Sequence, residues 1–309
     1  MSLSLSIIII NYKTPELTCL CLESIFKSSF KDFEILVVDN CSSDRSEEII
    51  TTKFPSIRWI NNAENLGFGR ANNIGASLAK GTYILLLNSD IVLQDNTLKV
   101  CVEHIHADKS IGVLGCKLLN EDLTLQKSVY NYVGDYTGIL KYNLILDCLI
   151  KVKPSSTKAV MGAFMLIPKK IFEEVNGFDP DFFMYAEELD LCRRIKQKGY
   201  DIVYLDSVTA THRHGGSSEG SDWSGKQSYL STALLYLKVK GYVGYFIYHF
   251  FMFFNFATNL LLLWKMDRTY RRDFWRGQKL YFSNYYYYIQ IPFLYSKSTG
   301  HGKRILKRA

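Results

Sequence analysis

Five groups of side chains in this sequence are suited to chemistry. Asn88-Ser89-Asp90 ends the apolar run Tyr83–Leu87. That run reads as a strand buried on both faces. Open α/β sheets bind ligands beyond the carboxyl ends of their strands. A carboxylate there can hold Mg²⁺ or Mn²⁺ while substrate phosphates supply the other oxygens; the bland alternative is a turn that caps the next helix. Asn11 and Tyr12 follow the β-branched run Ser6–Ile10, and Asp39 follows Phe33–Val38. Asp39 can accept a hydrogen bond from a pyrimidine N3–H or simply cap a helix, but Asn11, Asp39 and Asp90 all fall at strand ends, where they can converge.

The third group is the glycine loop Asn65-Leu66-Gly67-Phe68-Gly69 with Arg70, Asn73 and a helix behind it. Asn72 occupies the third glycine position of a dinucleotide fingerprint, so that motif is excluded. A glycine loop opening a helix can still offer N–H groups to a diphosphate, and Arg70 can add a charge-assisted contact. The fourth group is Glu187, Glu188 and Asp190, preceded by Phe182-Phe183-Met184-Tyr185. Helical spacing puts Glu187 and Asp190 near one face and turns Glu188 away. Acids at a helix start suit the dipole, but an apolar wall beside them raises a pKa, and a carboxylate so placed can act as general base on a hydroxyl. The fifth group is His212 and His214 in a Gly/Ser loop, where a ring nitrogen can complete a metal site begun by Asp90; His212 is favoured.

The elements that must position these groups follow from the pattern. Thr14-Pro15-Glu16 opens a first helix, with Pro in the first turn. Ser42-Ser43-Asp44 starts a second helix through Ile50, Arg58–Ile60 is a short strand, and Arg70–Lys80 is a third helix closed by Gly81 as its C-cap. This β-α-β-α-β-α-β alternation predicts an α/β fold with a doubly wound, mostly parallel sheet and helices on both faces. Asn96–His106 reads as a helix and Ile111–Leu118 as a strand. Asn120–Lys158 reads as an irregular insertion, and Ala159–Ile167 is an apolar run before a helix opened by Pro168-Lys169-Lys170. Asp181–Lys198 reads as a helix ended by Gly199, Ile202–Leu205 as a strand, and His212–Ser218 as a loop.

Over the 309 residues the apolar fraction is 48%, which excludes a disordered chain. Seven scattered cysteines form no C-x-x-C pair, so neither a zinc ribbon nor a disulfide framework is supported. The start, Met1–Ser6, lacks a charged region and is not read as a signal peptide. The net charge of +7 is unevenly placed, with a basic excess after Lys226, which favours an anionic surface or anionic ligand near the C-terminal third; no nucleic acid partner is expected. Gly241–Trp264 carries no charge and is long enough to span a bilayer. Basic residues flank both ends, Lys238 and Lys240 before, Lys265, Arg268, Arg271 and Arg272 after, without the one-sided bias of a spanning helix. A C-terminal amphipathic helix lying in the interface or docked on the domain, its basic residues on anionic head groups, is the expectation, with a spanning helix and a buried soluble helix as the alternatives.

In motif order the chain resembles inverting family-2 glycosyltransferases of the GT-A fold, especially the rhamnosyltransferase-like group. Ile7–Tyr12 looks like the opening strand, Val37–Asp44 the base-binding loop, and Asn65–Gly75 the glycine segment. Leu87–Asp90 stands at the metal motif, with Asn88 in place of its first acid. Gly162–Met165, Gly177–Asp179 and Phe183–Arg194 resemble the acceptor segment and the E-D-x-D-L-x-x-R motif, with Glu188 in place of the aspartate. His212–Ser217 resembles the late histidine loop. The resemblance implies a glycosyltransferase domain over residues 1–225, nucleotide-binding to about 115 and acceptor-binding from about 116, and a helical membrane-associating region over 226–309. It implies nucleotide binding by Asn11, Tyr12, Asp39, Asn65, Gly67, Arg70, Asn73 and Asn88, and Mg²⁺ or Mn²⁺ on Asp90 and His212. Glu188, with Glu187 as alternative, becomes the base, and Asp190 and Tyr185 meet the acceptor. The implied partners are a nucleotide-sugar donor (thymidine-linked rhamnose or a uridine-linked sugar), a glycan or lipid-linked acceptor and the cytoplasmic face of the membrane; a homodimer stays open. Two rival classes are a nucleotidyltransferase, disfavoured because the loop after the first strand lacks glycines, and a membrane-bound binding protein with a dead site.

Overall fold

The computed structural model describes residues 4–130, 159–213 and 222–297. The described residues of 1–130, 159–179 and 188–219 form one compact unit, and those of 180–187 and 220–309 a second.

The first unit is built on an eight-stranded sheet. Strands β1 (Leu5–Asn11), β2 (Phe33–Asp39), β3 (Arg58–Asn61) and β4 (Tyr83–Asn88) are its parallel half. β5 (Ile91–Leu93), β6 (Ile111–Leu119), β9 (Phe164–Pro168) and β10 (Asp201–His212) complete it in the order β3-β2-β1-β4-β9-β6-β10-β5. β9 runs antiparallel to both β4 and β6, and β5 runs antiparallel to β10, so the sheet is mixed. β7 (Val129–Tyr130) and β8 (Ala159–Val160) pair separately.

The apolar runs form strands because the sheet is covered on both faces. Ile7, Ile9, Val37, Leu85 and Leu87 meet Cys21, Leu22 and Ile25 of helix α1 (Pro15–Lys27) and Ile50 of α2 (Ser46–Lys53) in one buried cluster. The same cluster takes in Leu98, Cys101 and Ile105 of the helix α4 (Thr97–Ala107). On the opposite face α3 (Phe68–Leu78) lies so close that a Cβ on Gly75 would sit 2.5 Å from Ile8.

Several boundaries differ from the sequence expectation. α3 ends at Leu78, two residues early, and Gly81 is not its cap. A Cβ on Gly81 would sit 2.5 Å from the Ser6 backbone nitrogen, so glycine is required there by close approach of β1. The run Ala159–Ile167 splits into β8 and β9, and α5 (Lys169–Glu174) starts just after Pro168. The helix expected from Asp181 begins only at Glu187, as α6 (Glu187–Gln197), because Tyr185 (φ 69°) and Ala186 (φ 65°) are left-handed. β10 is twelve residues long rather than four and reaches His212, which is therefore a strand residue rather than part of a loop. His214 and residues 131–158, most of the expected insertion, lie outside the described residues.

In the second unit, α7 (Asp222–Leu262) runs through the expected cut at residue 225 and is broken at Gly241 (φ 67°, ψ −168°). Tyr236 and Tyr248 stack with ring centroids 4.8 Å apart. Twelve residues of unbroken helix would rise about 18 Å, so the chain folds back at Gly241. α8 (Arg268–Ser283) and α9 (Tyr285–Lys297) then return along its second half: Phe274 packs on Phe256, Tyr281 on His249, and Tyr288 on His249. Within this unit the nearly buried pair Lys238–Asp181 (2.6 Å) and the Ser231 hydroxyl, donating to the Met184 carbonyl, tie residues 180–187 to α7.

Candidate active site

The carboxyl ends of β1, β2 and β4 lie side by side, Asn11 opposite Asp39 and Ile10 opposite Asn88. Apolar runs must stop where the sheet ends and polar residues take over, which is why these side chains gather there.

At the β1–β2 end the polar groups hold one another. Asn11 is fully buried; its amide donates to Asp39 Oδ1 (2.7 Å) and Ser42 Oγ (3.2 Å), and its oxygen accepts from Thr18 (2.8 Å). Asp39 also accepts from the Ser42 hydroxyl (2.6 Å) and backbone N–H (2.9 Å). Asp39 therefore shapes the loop that carries left-handed Cys41 and Ser43. The helix that follows is served by Asp44, which accepts from the Ser46 N–H. Asn40, outside the groups singled out from the sequence, binds the β2 end to the glycine loop: its oxygen accepts from Leu66 N–H and Asn62, and its amide donates to Asn65 and the Gly67 carbonyl.

Asn65 accepts the Gly67 N–H (2.9 Å), so that donor is already used within the loop. Asn73 clamps the Phe178 backbone with two bonds, 2.8 and 2.9 Å, beside left-handed Gly177. Arg70 is half-buried and enters no ion pair among the described residues. Tyr12 is half-buried, with the Lys13 ammonium 5.5 Å from its ring centre.

Asp90 and His212 meet. The strand register explains it: β10 pairs with β5 so that His212 faces Ile91, and the Arg213 N–H donates to the Asp90 carbonyl (2.8 Å). His212 Nε2 lies 3.1 Å from Asp90 Oδ1, both side chains nearly buried. On the other side of the ring, Nδ1 is 3.0 Å from Gln126 Oε1. An amide oxygen only accepts, so Nδ1 is the donor on that side, and Nε2 is the ring nitrogen left facing the carboxylate. Two such groups side by side fit a cation between or beyond them. Ligands at right angles on an ion with bonds of about 2.1 Å are themselves about 3.0 Å apart, close to the separation found. Among the described residues no cluster of three or more His, Cys, Asp or Glu side chains forms, so the remaining oxygens would come from phosphate or water, as magnesium and manganese accept. Gln126 carries no mark in the sequence; only the path of the segment after β6 brings it to His212.

The acids of α6 divide. Asp190 turns inward, 1% exposed, and is bridged by Arg193 (2.9 Å) and Arg194 (2.6 Å), so its carboxylate is committed inside the protein. Glu187 is buried as well, while Glu188 keeps part of its surface open. This is the division that helical spacing predicts. Burial pushes the Glu188 pKa up from 4.5 to about 7, with the N–H groups of Glu188 and Leu189 pulling the other way. A Cβ on Gly162 would meet Glu188 Cβ at 3.7 Å and the Phe68 ring at 3.5 Å. The next residue, Ala163, accepts from the Asn88 N–H (3.0 Å). Gly162–Ala163 thus links Glu188, the glycine-loop helix and the Asp90 loop. Tyr185 is half-buried beside these acids in sequence, in the left-handed turn that precedes α6.

The glycosyl transferase family 2 profile matches residues 6–175. The chain is 28% identical over 211 residues to glycosyltransferase GlyG of Streptococcus pneumoniae, covering 60% of this chain and 65% of that one. It is 26% identical over 202 residues to rhamnosyltransferase WbbL of Escherichia coli, covering 58% and 72%. The fold is similar to that of mannosyltransferase PcManGT from Pyrobaculum calidifontis, solved with GDP-Man and Mn²⁺, at a TM-score of 0.55 and 16% identity over 76% of this chain and 63% of that chain. The chain thus spans slightly less than two thirds of GlyG.

Proposed function

Because the chain belongs to glycosyl transferase family 2, we propose that it transfers one sugar from a nucleoside diphosphate sugar to a hydroxyl of a glycan or lipid-linked acceptor, with inversion at the anomeric carbon. The observation that carries this reading is the meeting of Asp90 and His212 at 3.1 Å at the carboxyl end of β4. Those two residues would hold Mg²⁺ or Mn²⁺, which when bound neutralises charge on the departing diphosphate.

Glu188 takes the proton. It is the α6 carboxylate that is neither sequestered by arginines nor fully buried, and its pKa of about 7 suits a base that must be charged before attack and protonated after it. The acceptor oxygen bonds to the anomeric carbon from the side opposite the leaving group. The bond from that carbon to the diphosphate oxygen breaks, and the hydroxyl proton ends on Glu188. The β1–β2 end and the glycine loop would seat the nucleotide, with Asp39, Tyr12 and Arg70 nearest that task. In this reading Asn11, Asn65 and Asn73 hold the loops in shape, and Asn88 directs the Asp90 turn. A thymidine-linked rhamnose is the first donor to try, because WbbL is a rhamnosyltransferase. The enzyme would work at the cytoplasmic face of the cell membrane.

Release of nucleoside diphosphate, measured with each candidate donor and Mn²⁺, with and without acceptor, tests the class. Proton NMR of the product tests the stereochemistry: a retained anomer would remove Glu188 from the role of base.

A further inference from the structure

The C-terminal helices are inverted in polarity. In the second half of α7 the polar residues Asn255 and Asn259 are buried, 8% and 5% exposed. His249 also faces inward, its Nδ1 on the Tyr281 hydroxyl at 2.6 Å, and burial lowers its pKa to about 4. The outward residues are Val243, Phe246, Phe250, Phe253, Leu261 and Trp264, each 58–74% exposed. They recur three or four residues apart along most of the segment, so they form one stripe. A helix in water turns its stripe of this kind to the core; here the core takes the polar groups and the stripe is left outside.

The charge on α8 decides how such a stripe meets lipid. Arg268, Arg271 and Arg272 are exposed on the helix that returns beside Phe256, through Phe274. Three arginines on a helix packed against the apolar segment would be costly in hydrocarbon, but they suit the phosphate layer. The fold-back at Gly241 and the return of α8 and α9 also make this a short helical hairpin stack rather than one long rod.

We propose that residues 241–283 dock on an anionic bilayer without crossing it, the α7 stripe entering the acyl boundary and the α8 arginines engaging lipid phosphates. This deepens the membrane placement given above and rests on no assumption about donor or base.

The test is co-sedimentation of the full chain with vesicles of phosphatidylcholine alone and of phosphatidylcholine mixed with phosphatidylglycerol. The wild type is expected to bind the mixed vesicles more tightly. Phe246→Asn/Phe250→Asn/Phe253→Asn, all at exposed positions, should lower partitioning about tenfold or more while the thermal unfolding midpoint stays in place. Arg268→Ala/Arg271→Ala/Arg272→Ala should remove the preference for the anionic lipid. Unchanged vesicle binding by the phenylalanine variant overturns the proposal. So does retention of the wild type in the membrane fraction after carbonate extraction, which indicates a span. If the wild type ignores vesicles and sediments as a dimer that the phenylalanine variant breaks, the stripe is a contact between copies and the proposal fails. Loss of vesicle binding with transfer to a soluble acceptor intact separates this inference from the catalytic one.

Discussion

At the scale of single residues, Glu188 is the most informative side chain. Its folded pKa of about 7 lies above the ordinary 4.5, so the folded protein binds more protons than the unfolded chain between those values. Stability therefore falls as pH rises from about 4.5 to about 7 and stays lower above that window. Glu188→Gln removes the penalty: its melting temperature should exceed that of the wild type at pH 8 and match it near pH 4. Transfer should show the opposite trend, rising through about pH 7 as the base ionises, and the same variant should lose about 10²–10⁴-fold in kcat. Near-normal turnover by Glu188→Gln would move the base elsewhere, first to Glu187. Gln126 acts one step removed, holding the imidazole whose other nitrogen faces Asp90. Gln126→Leu is expected to weaken Mn²⁺ affinity in the presence of nucleoside diphosphate about 10–100-fold, measured by calorimetry. Asp90→Ala should abolish the metal-dependent part of that binding.

At the scale of elements, backbone contacts outweigh propensity. The two hydrogen bonds of Asn73 pin Phe178 next to left-handed Gly177. Asn73→Ala leaves the Phe178 N–H and carbonyl without those partners and should cost about 1–3 kcal/mol, read by chemical denaturation. Gly81→Ala forces a methyl onto the Ser6 backbone. Main chain in a central strand has little room to yield, so a lower yield of folded protein or a loss of at least about 1–3 kcal/mol is expected. Local pattern located most strands and helices to within a few residues. It erred at α6 and β10, where the deciding influence was not local: left-handed Tyr185 and Ala186 delay α6, and β10 continues past an irregularity after Leu205 because pairing with β6 resumes at Thr209 and β5 pairs with Ala210–His212.

At the scale of the whole molecule, binding and stability are linked. A donor that engages only the folded chain should raise stability by about 2.7 kcal/mol at a hundredfold excess over its dissociation constant. A thermal-shift panel of nucleotide sugars with Mn²⁺ should single out one donor, and chelation should cancel that shift; an equal response to every sugar would count against a specific donor site. The apolar runs that end in Asn11, Asp39 and Asp90 were legible without coordinates, because a strand's edge at the sheet boundary is written in its own residues. The helical spacing that separates Glu188 from Glu187 and Asp190 was legible for the same reason. Three matters were decided only by tertiary structure: that His212 reaches Asp90 from a strand rather than a loop, what holds its imidazole, and that the uncharged C-terminal segment folds back with its polar side inward. Each depends on which distant segments pack or pair, and long-range register is set by the sum of many contacts that no local stretch of sequence contains.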